Sequence, residues 1–183
     1  MYKRVWIETD PRIMGVRNGV YQVELKENKS FVSKEEKDYY ESYFASDINA
    51  FLLEGFKKIN KKRITCITYF PLKGARKTDF IVGVPHERGI DFLVTEKCLD
   101  VLENFNLPTY NKFKVNIEGF SSNYFAVGFP MVPNYFVDYS NSIFVDLATK
   151  ERIQIADREE YKKSFSIGDR KIVVKYRLDY DII

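Results

Sequence analysis

The chain predicts an α+β fold: mostly antiparallel sheet, two main amphipathic helices and a short C-terminal helix. Three observations lead there. Phe113, Val115 and Ile117 alternate with Lys112, Lys114 and Asn116, the pattern of a strand with one wet face. Apolar stripes at helical spacing follow capping residues at Ser33 and at Thr95. Residues 142–147 and 151–155 read as a hairpin around Ala148-Thr149-Lys150. The 183 residues suit a single α+β domain spanning 1–183, with at most a soft subdivision near 74–89.

Taken in order, residues 3–8 form a first expected strand, broken by Asp10-Pro11. Gly15 and Gly19 bracket a loop before a second strand at 20–25. Ser33-Lys34-Glu35-Glu36 has the form of a capping box, in which hydroxyl and carboxylate satisfy orphan helix amides. Behind it Tyr40, Phe44, Ile48, Phe51 and Leu52 share one helical face. That helix runs from 34 to about 58, or breaks near Ser46-Asp47. The cations Lys57, Lys58, Lys61, Lys62 and Arg63 then read as a helix C-terminus, where positive charge suits the macrodipole.

Residues 64–72 and 80–84 are strands ended by Pro71 and Pro85, with a polar loop at 74–78 between them. Thr95 caps a helix whose stripe is Cys98, Leu99, Leu102 and Phe105, and Asn106 and Pro108 stop it. A more fully buried strand follows at 124–129, then a Pro130 and Pro133 loop. Asp157 caps a short helix over 158–163, and a Gly168-Asp169 turn joins Phe165 and Ile167 to a final strand at 171–180.

Chemical motifs are sparse. The lone histidine, His86, sits in a Pro-His-Glu-Arg-Gly turn and reads as a surface residue. No C-x-x-C, H-E-x-x-H, G-x-G-x-x-G or Walker-type loop occurs, so no catalytic residue, metal ligand or cofactor site is assigned. Glu35/Glu36 and Glu159/Glu160 lie at helix starts, where the dipole explains them. Cys66 and Cys98 each lie in an apolar run and read as free buried thiols. A net charge of +3, from 29 basic and 26 acidic residues, is too balanced for a nucleic-acid binder or an acidic nucleic-acid mimic. The opening residues reach Glu8 before any long apolar stretch, and an 18-residue apolar span is nowhere present, so a cytoplasmic protein without membrane attachment is expected.

One order of parts stands out. A strand-to-helix step at Leu93-Val94-Thr95-Glu96-Lys97-Cys98-Leu99-Asp100-Val101-Leu102 precedes the Phe113-Lys114-Val115 strand and the aromatic strand Tyr124-Phe125-Ala126-Val127. Val137-Asp138-Tyr139-Ser140-Asn141-Ser142 closes the series, and Val5-Trp6, Gly15-Val16 and Gly19-Val20-Tyr21 open the chain. This arrangement resembles bacterial immunity proteins of polymorphic toxin systems, in the group of immunity protein eleven and immunity protein forty-three, over residues 90–146. The resemblance implies a non-enzymatic inhibitor that binds a cognate protein toxin and neutralises it by stoichiometric occlusion. Interfaces favour aromatic anchors, and the proline-flanked loop supplies them. The expected toxin-binding residues are Asn123, Tyr135, Phe136, Tyr139 and Asn141. Two further readings stay open: a non-catalytic interaction or scaffold domain of a mobile element, and an enzyme using Asp138, Asp146 or Glu118.

Overall fold

A computed structural model describes residues 8–17, 20–163 and 167–175. The strand expected at 3–8 (all but Glu8), Gly19, Phe165 and the end of the strand expected at 171–180 lie outside the described residues. Two compact units divide at Met131/Val132, so residues 74–89 fall inside the first.

Helices and strands both contribute, as an α+β class requires. The first unit is a closed barrel of β1 (Tyr21–Glu24), β2 (Ile67–Pro71), β3 (Phe80–Val84), β4 (Phe92–Thr95), β5 (Asn111–Ile117) and β6 (Tyr124–Gly128). The order around it is β1-β2-β5-β6-β4-β3. The barrel is mixed. β1 runs parallel to β3 and β2 parallel to β5, whereas β1·β2, β3·β4, β4·β6 and β5·β6 are antiparallel. Alternation within a strand reports which face is wet and carries no information about the direction of its neighbour. The parallel pairings were therefore not among the expectations.

The barrel is filled by one side-chain set. Val23, Ile67, Tyr69, Ile81, Leu93, Phe113, Val115, Ile117, Tyr124 and Ala126 are all buried in a single cluster. On β5 the expected alternation holds, with Phe113, Val115 and Ile117 buried and Lys114 and Asn116 exposed. β6 is buried on both faces for a clear reason. Its other face, with Val127 and Phe125, joins Val94 under Leu99 and Leu102 of α3 (Glu96–Leu102). Thr95 caps α3 by accepting a 3.4 Å hydrogen bond from Cys98 N.

Upstream, Asp10 starts a helix. It caps α1 (Pro11–Met14), with Pro11 at the first helical position and Gly15 in the left-handed conformation at the end. A Cβ at Gly15 would lie 2.0 Å from Gly74 O, so that close approach requires glycine. The helix α2 spans Lys34–Phe44 and stops there, and Asp47 caps a separate 3-10 turn at Ile48–Phe51. The break resets the helical phase. Tyr40 and Tyr43, with Glu36, are the buried residues of α2, while Ile48, expected on the same stripe, is 49% exposed. The basic cluster therefore ends no α-helix. It lies on the loop leading to β2, around a 3-10 turn at Lys61–Arg63.

In the second unit β7 (Ile143–Asp146) is central, with β8 (Arg152–Ile153) and β9 (Ile167–Lys171) antiparallel on either side. The β7–β8 pair is the hairpin read from the sequence. Asp157 Oδ1 accepts from Glu160 N at 2.9 Å and starts α4 (Arg158–Lys163). Gly168 and Asp169 lie within β9 rather than in a turn, because Val145 and Phe144 of β7 pair with them. Tyr139, Phe144 and Ile155 form this unit's core, with Val137, Ile153, Tyr161 and Ile167 packed around it.

Candidate functional site

Asn123 lies in the first unit, in the turn before β6. Its carbonyl accepts from Glu96 N at 3.2 Å and its Nδ2 donates to Glu96 Oε2 at 3.3 Å. The exposed amide thus binds the first turn of α3, a helix-capping task. The other four expected residues fall on one stretch of the second unit, 133–142.

Pro133 introduces a 3-10 turn, Asn134–Phe136. Tyr135 and Phe136 face each other with ring centroids 5.0 Å apart and planes inclined by 51°. Tyr135 is 49% exposed. Backbone bonds pin the stretch to the segment that follows β9, from Asp138 N to Val173 O and from Lys175 N to Phe136 O, both 2.7 Å. Tyr139 is different: it is 7% exposed and packs on Phe144 and Tyr161 at 6.1 and 5.8 Å. It belongs to the core, and its hydroxyl reaches Asn134 O at 3.5 Å, tying the turn to that core.

Asn141 is exposed and organises the next turn. Asp138 accepts from Asn141 Nδ2 and Ser140 Oγ, both at 2.8 Å, and from Asn141 N at 3.2 Å. The Asn141 amide and the Ser140 hydroxyl hold the Asp138 carboxyl below the ordinary carboxylate range. Asp146 accepts from Ala148 N at 2.7 Å and Thr149 N at 2.9 Å, a second Asx turn. Both carboxylates are thus committed to turns, and Glu118 is exposed beyond the end of β5.

A titratable group that motif reading passed over gathers at one end of the barrel. Tyr69, Gly83, Pro85, His86, Ile90 and Asp91 line a depression with space for about one water molecule. Burial raises the Glu87 carboxyl above its ordinary value, with His86 and Arg88 opposing. Burial raises Asp91 likewise, partly offset by the 2.7 Å hydrogen bond from Phe129 N. Tyr69 is pushed up to about 12 by burial. The buried Tyr40 hydroxyl lacks a well-formed hydrogen bond, and its ionisation is strongly opposed by burial and by neighbouring Tyr69. The signal was long-range: residues 40, 69, 87 and 91 share no motif, and only barrel closure collects them. The space suits a water, not a substrate.

Among the described residues, no group of three or more His, Cys, Asp or Glu is placed to hold a metal ion. Cys66 and Cys98 are free thiols, and burial, then Asp79, raises Cys98. No helix among the described residues is long and apolar enough to cross a membrane. No protein-family model matches this chain, and no curated protein or solved structure is detectably similar to it.

Proposed function

We propose that this protein is an immunity protein that binds a cognate bacterial toxin effector domain in the cytoplasm and neutralises it by stoichiometric occlusion. The observation that carries the reading is Tyr135. It is a large, half-exposed aromatic held on a turn by Phe136, by the Tyr139 hydroxyl and by two backbone bonds. An anchor ordered before binding loses little conformational entropy on association. Tyrosine is also a preferred residue at energetic centres of interfaces. Asn141, Ser140 and Asp138 supply a polar rim beside it. In this reading Tyr139 acts from beneath, as support, and Asn123 positions α3.

Co-expression with the effector domain of the toxin encoded beside this gene tests the proposal. The expected result is rescued growth and a co-purified one-to-one complex. Tyr135→Ala should weaken that complex at least about tenfold, the scale of an interface anchor, without lowering the melting temperature. Absence of both rescue and complex would overturn the reading. A one-to-one complex with an unrelated host or mobile-element protein would favour the interaction-domain alternative.

A further inference from the structure

Residues 57–63 carry five cations, Lys57, Lys58, Lys61, Lys62 and Arg63, and all five are exposed. The usual reason for such a cluster, the end of an α-helix, does not apply, because α2 ends at Phe44. Among the described residues none of the five forms an ion pair.

The loop backbone is nevertheless firmly held. Lys57 N donates to Ala50 O at 2.9 Å, and Lys57 O accepts from the Tyr43 hydroxyl at 2.7 Å. Ile59 is buried, and its N–H reaches Asn111 Oδ1 at 2.9 Å. Asn60 N donates to the Tyr39 hydroxyl at 2.6 Å, and the Arg63 guanidinium lies 4.1 Å above the Tyr39 ring. Five exposed cations are thus carried on a backbone held in place, a fixed cluster of positive charge that an acidic partner complements.

We propose that residues 57–63 form a docking loop for an acidic protein segment presenting several Asp or Glu side chains. A nucleic acid fits less well. The cations occupy one short loop rather than a groove or stripe. The Tyr39 ring already carries Arg63 on its face and offers no stacking platform for a base. The docking loop lies in the first unit and rests on residues apart from 133–142, so it stands or falls independently of toxin neutralisation.

Fluorescence anisotropy on the full chain, with a labelled poly-glutamate peptide and a labelled poly-uridine RNA of equal length, tests this. Poly-glutamate should bind, and more weakly as salt rises. Charge reversal at Lys57, Lys58, Lys61 and Lys62 (each Lys→Glu) should weaken it at least about tenfold. The same reversal at exposed Lys29, Lys34, Lys73 and Lys77 should change it less than about threefold. If the reversed loop variant fails to fold, Lys→Gln at the same four positions should shift affinity in the same direction. Equal loss in both sets of variants, or tighter loop-dependent binding of the RNA than of the peptide, overturns the proposal.

Discussion

Asn111 Oδ1 accepts a 2.9 Å hydrogen bond from Ile59 N, and its Nδ2 donates to the Tyr43 hydroxyl at 2.8 Å and to Gly89 O at 2.9 Å. One buried amide at the start of β5 therefore joins α2, the basic loop and the 85–90 turn. A leucine would fill the volume but orphan a buried N–H and a carbonyl. Asn111→Leu is expected to lower unfolding free energy by about 2–4 kcal/mol, measured by urea titration. A change below about 0.5 kcal/mol would show that water replaces the amide at no cost.

Glu36 is a second hub. Ser33 Oγ accepts from Glu36 N at 3.2 Å, as a capping box requires. The carboxylate takes Val32 N at 2.8 Å and reaches across to Thr65 N and to Cys66 N at 3.0 Å. It thus ties the start of α2 to the entry of β2. Glu36→Ala should destabilise by about 3 kcal/mol, and Glu36→Gln, which keeps one acceptor oxygen, by clearly less. Equal losses in the two variants would mean that packing rather than hydrogen bonding matters at this position.

The second unit has a core of its own around Phe144, which is fully buried. Phe144→Ala should remove about 3–5 kcal/mol from that unit. Hydrogen exchange is the measurement of choice: amides of 137–174 should lose protection while those of β5 and β6 keep theirs. Uniform loss over both units would contradict independent cores.

Asp91 gives a pH dependence with a definite sign. Burial raises its folded-state pKa above the ordinary aspartate value. Just above that value the folded protein holds a proton that the unfolded chain has released. Its contribution to stability is complete below the unfolded pKa and is lost as pH rises through the folded one. Asp91→Asn keeps an acceptor for Phe129 N and cannot ionise. The variant's stability relative to wild type should therefore rise between about pH 4 and about pH 7. A flat difference across that range sinks the argument.

Local chemistry was legible where the cause is local. The caps at Ser33, Thr95 and Asp157, the alternation along β5 and the 142–155 hairpin all follow from neighbouring residues. What could not be read depends on distant partners. The parallel pairing of Ile67 with Val115 leaves no trace in either segment, and the basic loop looked like a helix end because nothing nearby says α2 stops at Phe44. Tyr139 was expected as a binding residue from its place in an aromatic loop, and only the distant rings of Phe144 and Tyr161 reveal that it is packed into the core.

Barrel closure by β6 has a consequence during synthesis. β1, β2 and β3 can pair as soon as residue 84 has emerged, yet β2 then waits for β5, and β4 and β5 both wait for β6. Until Tyr124–Gly128 leaves the ribosome, the nascent chain carries strand edges able to capture other chains. Gly128 must also seat against Gly89 O, where a Cβ would lie 1.8 Å away. A chain truncated before Tyr124 should therefore aggregate as it is made, whereas one ending after Met131 contains every strand of the barrel.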